Sequence, residues 1–185
     1  MGRENELYSE GMELYELEDY DNAYIRFLTA AKNYGHSPSM FMAGSMLCAT
    51  GDYEHGLVFV QASAEDGYPK AQSCLGALLY VGDIIERDSV RAFQLFKSAA
   101  EQGDTDALLY LGFCYEDGEV TEKDDEKAFE YYLKSAESGN AEGQFNAGLC
   151  YENGKGTEKD PELAIYWYRK AAEQEHEEAK KKLEL

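Results

Sequence analysis

Asp106 to Gly139 reads DALLYLGFCYEDGEVTEKDDEKAFEYYLKSAESG. Its landmark is Gly112, which recurs 36 residues later as Gly148 and 36 residues earlier as Gly76. The surrounding pattern recurs with it. Tyr115 matches Tyr151, Gly118 matches Gly82 and Gly154, and Asp124 matches Asp88 and Asp160. Ala128 matches Ala92 and Ala164, and Tyr132 matches Phe96 and Tyr168. A fixed period of this length is the signature of stacked helical repeats, in which each unit buries its apolar face only against its neighbours.

Registering the rest of the chain on this stretch divides it into repeats. Residues 69–104, 105–140 and 141–176 are long-loop units, and each has an Asp (Asp88, Asp124, Asp160) placed to cap the second helix by accepting from free N–H groups. Residues 1–36 and 37–68 carry short turns, Glu18-Asp19-Tyr20-Asp21 and Thr50-Gly51-Asp52-Tyr53. Gly35 is suited to a left-handed helix cap. Residues 177–185 begin a further first helix, short and polar, as befits a cap over an exposed end. The expectation is one all-α solenoid of five helix pairs plus a C-terminal capping helix.

Glycine in mid-helix costs about 0.5–1 kcal/mol against alanine. Gly76, Gly112 and Gly148 therefore need a compensating close approach of the paired helix. Ala92, Ala128 and Ala164 are the expected small partners.

Composition narrows function. The chain has 185 residues with 37 acidic and 17 basic side chains, a net charge of -20. Acidic residues exceed basic ones by the same margin before and after Asp104. Such a field repels phosphate backbones and anionic membrane surfaces and favours basic partners. No apolar run approaches the roughly 18 residues of a membrane span, and the N-terminus lacks the apolar core of a secretory signal. The expected location is the cytoplasm. The four cysteines, Cys48, Cys74, Cys114 and Cys150, include no CxxC pair. Cys114 and Cys150 lie in equivalent positions of adjacent repeats, about 8–10 Å apart by helix packing. That exceeds the separation of about 4.4–6.8 Å that a disulfide bridges, so buried free thiols are expected.

Chemistry is sparse. His36, His55 and His176 are scattered and make no ligand spacing. The carboxylate-rich loop after Glu116 lacks the alternating ligands of a calcium loop and reads as solvated. Neither a phosphate-binding loop nor a nucleophile–base pattern is present. The sequence thus implies no catalytic residue, no metal and no cofactor.

The segments ALLYLGFCYEDG (Ala107–Gly118), the Lys-Asp before each of the last two second helices, and AIYWYRKAAEQ (Ala164–Gln174) resemble Sel-one-like repeats, which are tetratricopeptide-repeat relatives with a longer internal loop. Residues 1–68 resemble the tetratricopeptide repeat itself through their short turns. One departure is that the second loop glycine of the family pattern survives at Gly156 but is Val120 and Ile84 in the other copies. Positive φ is costly for β-branched residues, so those loops are expected to bend differently.

The resemblance implies a right-handed α–α superhelix whose first helices line its concave side. Positions three before, one after and four after each landmark glycine then share one face. Tyr8, Met12, Tyr15, Phe41, Tyr80, Leu109, Phe113, Glu116, Phe145, Leu149 and Glu152 make up the candidate binding face. Apolar and aromatic residues where solvent is expected mark either an interaction groove or packing between curved repeats. The reading that follows is an adaptor, not an enzyme, that binds a protein or peptide segment with apolar anchors and basic flanks. It would act as a monomer or weak homo-oligomer, without nucleic acid or membrane. The alternatives are a hydrolase or small-molecule binder, as proposed for some cysteine-rich members of the resembled family, and a self-associating scaffold. The paired cysteines of those cysteine-rich members do not occur at that spacing here.

Overall fold

A computed structural model describes residues 2–184 and contains, among them, eleven helices. The chain forms two compact units divided between Glu86 and Arg87. The first holds α1 (Arg3–Glu16), α2 (Tyr20–Tyr34), α3 (Ser37–Ala49), α4 (Tyr53–Glu65) and α5 (Pro69–Val81). The second holds α6 (Ser89–Glu101), α7 (Thr105–Asp117), α8 (Asp125–Glu137), α9 (Ala141–Asn153), α10 (Pro161–Ala172) and α11 (Glu177–Lys182). The division falls in the loop of the third repeat.

Within each unit, helices pack in sequence order. In the first, α1 pairs with α2 and α3 with α4, while the α2–α3 and α4–α5 contacts stack successive hairpins. In the second, α7 pairs with α8 and α9 with α10. The α6–α7, α8–α9 and α10–α11 contacts do the stacking.

The expected caps account for the helix starts. Asp88 accepts from the backbone N–H of Arg91 at 2.9 Å and Asp124 from that of Lys127 at 2.9 Å. Asp160 accepts from both Glu162 and Leu163 at 3.0 Å, with Pro161 at the first helical position. Each satisfies donors that the first turn leaves without partners. Asp19 and Asp52 do the same for α2 and α4. The long loops begin at left-handed glycines, Gly82, Gly118 and Gly154. They end where the amide of Asp124 or Asp160 donates to the carbonyl of Tyr115 or Tyr151, each at 2.9 Å. Among the described residues Ile84 and Val120 are absent from the positive-φ set, whereas Gly156 has φ 68°. A side chain at Gly156 would run into the Asp125 carbonyl.

The mid-helix glycines refine one expectation. The closest group is an aromatic ring, with the backbone carbonyl of the expected Ala164 also 3.3 Å from a Cβ placed at Gly148. A Cβ at Gly148 would lie 2.6 Å from Cε1 of Tyr168, and one at Gly11 would lie 2.6 Å from Cε1 of Phe27. At Gly112 it would overlap the Tyr132 ring. These rings are among the most buried side chains of their hairpins. The α3–α4 hairpin solves the same problem differently. Where other second helices carry alanine and then an aromatic four residues on, α4 carries Gly56 and Val60. With no ring to house, the two backbones close up. A Cβ on Gly44 would sit 2.7 Å from the Gly56 carbonyl oxygen, and one on Gly56 would sit 2.8 Å from that of Gly44.

Candidate functional site

In the second unit, the first-helix face of α7 and α9 is largely occupied by the protein's own groups. Leu109 is 7% exposed and packs with Ala128, Tyr132 and Cys150, so it is a core residue. Phe113 is half-buried, edge-on to Tyr110 and to Tyr132. Phe145 is sandwiched between Tyr168, at 5.6 Å between centroids, and His176, stacked at 4.6 Å. Leu149 is half-buried against the cluster around Ala164 and Tyr168.

Glu116 and Glu152 close a repeated hydrogen-bond unit. The hydroxyl of Tyr132 donates to Glu116, and that of Tyr168 donates to Glu152 at 2.7 Å. Each carboxylate also accepts from a lysine further along the chain: Lys155, in the next repeat's loop, at 2.5 Å, and Lys182 of α11 at 2.6 Å. Burial alone would raise Glu116, but the Lys155 and Tyr132 bonds outweigh it and hold the carboxyl below its usual range. For Glu152 the bonds from Lys182 and Tyr168 lower it outright. Burial, with the bond to Glu152, pushes the Tyr168 hydroxyl upward. A signal for this unit lies in the sequence: hydroxyl-bearing Tyr132 and Tyr168 go with Glu116 and Glu152, whereas the repeat with Phe96 carries Tyr80 instead.

The first unit differs. Tyr8 packs its ring on Phe27 at 5.8 Å and on His36 at 5.4 Å. Met12 is half-buried against the Ala23–Phe27–Ala43 cluster. Phe41 lies against Tyr68 at 5.7 Å, and Tyr80 is half-buried. Tyr15 is 39% exposed and meets Tyr20, 49% exposed, edge-on at 5.2 Å. Beneath these two rings is a pocket of about 280 Å³ floored by Met42, Ser45, Met46 and Ala49 of α3 and closed by Thr50. Across Tyr20, Met46 and Thr50, a second hollow of about 170 Å³ is lined also by Asp21, Tyr24 and Leu47. The sequence reading reached Tyr15 but missed Tyr20, Met42 and Met46. The clue was the spacing of Met42, Met46 and Ala49, which is a stripe along one side of α3.

The arrangement offers little for catalysis. Burial pushes the Cys114 and Cys150 thiols up to about 12, so neither is a thiolate nucleophile near neutrality. Among the described residues no group of three or more His, Cys, Asp or Glu could hold a metal ion, and no helix is long and apolar enough to cross a membrane.

The sequence profile of the Sel1 repeat matches residues 69–104, 105–140 and 141–176, more than half of the chain. The chain belongs to the Sel1 repeat family. A Sel1 repeat protein from Oxalobacter formigenes matches at 26% identity and a TM-score of 0.84, over 96% of this chain and 73% of that one. A protective antigen of uropathogenic Escherichia coli with an SLR fold matches at 27% identity and a TM-score of 0.77, covering 96% of this chain. The present chain spans 39% of that antigen's length. Cysteine-rich protein B of Helicobacter pylori matches at 27% identity and a TM-score of 0.54, over 63% of this chain and 89% of that one. No curated protein sequence matches significantly. The all-α fold of consecutive helix pairs is therefore that of Sel1-repeat solenoids, which are typically non-enzymatic scaffolds for protein–protein interaction.

Proposed function

We propose that this Sel1-repeat protein is an adaptor that binds a protein or peptide segment on its first-helix surface. The observation that supports the reading is the half-exposed aromatic and methionine surface around Tyr15, Tyr20 and α3, set in a chain of net charge -20. Apolar patches rimmed by charge are where partners dock, and aromatic residues are the favoured anchors. The exposed aliphatics Val58 and Val90 of the second helices are by contrast spaced singly.

The test compares affinity capture from native lysate by the wild-type chain, by a Tyr15→Ala/Tyr20→Ala variant, and by a Val90→Ala/Ile165→Ala variant. The adaptor reading expects partners to be lost from the first variant only, with both melting normally by circular dichroism. Equal capture by all three forms refutes the first-helix surface as the docking face.

A further inference from the structure

Resting on that adaptor reading, we infer that the pocket beneath Tyr15 and Tyr20 accepts one apolar side chain from a partner segment whose adjacent residues are lysine or arginine. The walls determine the anchor. At about 280 Å³ the pocket lies just below the range of about 300–1,000 Å³ typical of small-molecule sites. It suits a single large side chain. Its floor is Met42, Met46 and Ala49, and methionine's unbranched, polarizable chain adapts to anchors of differing shape. Tyr15 and Tyr20 add rigid, amphipathic rims, and Ser45 and Thr50 supply the few hydroxyls. The smaller hollow across Tyr20 gives room for a neighbouring residue, with Asp21 on its wall.

The charge determines the flanks. From Glu4 to Ile25 the chain contains no lysine or arginine. The carboxylates that follow or flank the two tyrosines, Glu16, Glu18 and Asp21, have no ion-pair partner among the described residues. Cationic flanks would meet an uncompensated acidic rim, which steers encounter and rejects acidic competitors. Two of the three lysines in the protein's own basic run are already engaged. Lys180 is paired with Glu175 and Glu177, Lys182 bonds Glu152, and Leu183 packs on the Tyr168 cluster. A basic segment from another protein is thus favoured over a second copy of this chain.

The probe is a fluorescent peptide with a central leucine between paired lysines. It would be titrated by polarisation and by methyl NMR of the full chain labelled at methionine. Two control peptides replace the leucine with serine or the lysines with glutamate. The expected result is selective movement of the Met42 and Met46 methyl signals, at least tenfold weaker binding of the serine peptide, and no binding of the glutamate peptide. Glu16→Lys/Asp21→Lys, at exposed positions that leave the fold intact, should weaken the lysine peptide at least tenfold. Equal binding of the leucine and serine peptides overturns the pocket assignment, as does saturation without movement of Met42 and Met46. Concentration-dependent shifts of those methyls without peptide, with a doubled mass by light scattering, overturn it in favour of self-association. If the pocket fails while Tyr15→Ala/Tyr20→Ala still loses lysate partners, the adaptor reading survives by itself. If the wild-type chain retains no partner, that broader reading falls as well.

Discussion

Replacing Gly148 with alanine should destabilise the protein even though alanine is the better helix former. In an open helix the exchange would gain about 0.5–1 kcal/mol. Here the new methyl would lie 2.6 Å from Cε1 and 2.7 Å from Cδ1 of Tyr168, against an ordinary carbon–carbon contact of about 3.5–4.0 Å. The ring must therefore move by roughly 1 Å. It is 3% exposed and its hydroxyl is held by Glu152 at 2.7 Å, so little free travel is available. Overpacking of this kind costs about 1–3 kcal/mol, which set against the helix gain leaves a net loss of up to about 2.5 kcal/mol and about 1 kcal/mol at mid-range. Urea unfolding followed by far-ultraviolet circular dichroism measures it. Shortening the ring gives the sign a second check: in a Tyr168→Val background, Gly148→Ala should become neutral or stabilising. A Gly148→Ala protein as stable as wild type would refute the claim that the ring fixes this glycine.

Three further outcomes are expected. Glu18 occupies the left-handed region at φ 61°, where the matching turn of the next hairpin has Gly51 at 87°; Glu18→Gly should therefore stabilise by about 1 kcal/mol, from a left-handed penalty of roughly 1–2 kcal/mol offset by glycine's greater unfolded entropy, read as a higher urea midpoint. Glu116 and Glu152 are both held below the ordinary value of 4.5, so their contribution is complete above that pH and is lost as pH falls through their lower folded values. Glu116→Gln/Glu152→Gln should accordingly flatten the acid limb of a stability–pH curve while lowering the plateau at neutral pH. In alkylation followed by mass spectrometry at pH 7.5, Cys114 and Cys150 should stay unmodified until the chain unfolds, whereas the partly exposed Cys48 labels in the native state.

Period and caps made the fold legible. Gly112 and its copies marked the first helices, and Asp88, Asp124 and Asp160 marked the starts of the second helices, because both depend on backbone rules that act within a few residues. The glycine's partner was not legible in the same way. Ala128 and Tyr132 lie one turn apart on the same helix face, and only side-chain direction tells which one covers the glycine. The candidate surface was half legible for a related reason. Spacing from the glycine places Leu109 and Tyr15 at different offsets of one stripe, yet it cannot report that Leu109 is covered by the neighbouring helix while Tyr15 stands at a helix end beside Tyr20. The pocket combines residues of three helices, α1, α2 and α3, and of its α3 wall only Ser45 lies on the stripe, while Met42, Met46 and Ala49 lie beside it.

The Tyr132–Glu116–Lys155 and Tyr168–Glu152–Lys182 units have a direction. In each, the tyrosine and carboxylate belong to one hairpin and the cation arrives from further toward the C-terminus. A hairpin of this type is thus electrostatically complete only when something downstream supplies a lysine. Lys155 does so from a repeat loop, and Lys182 does so from α11, the further first helix. Any repeat inserted between α9–α10 and α11 would keep its ion pairs matched only if its loop carried a lysine at the position of Lys155.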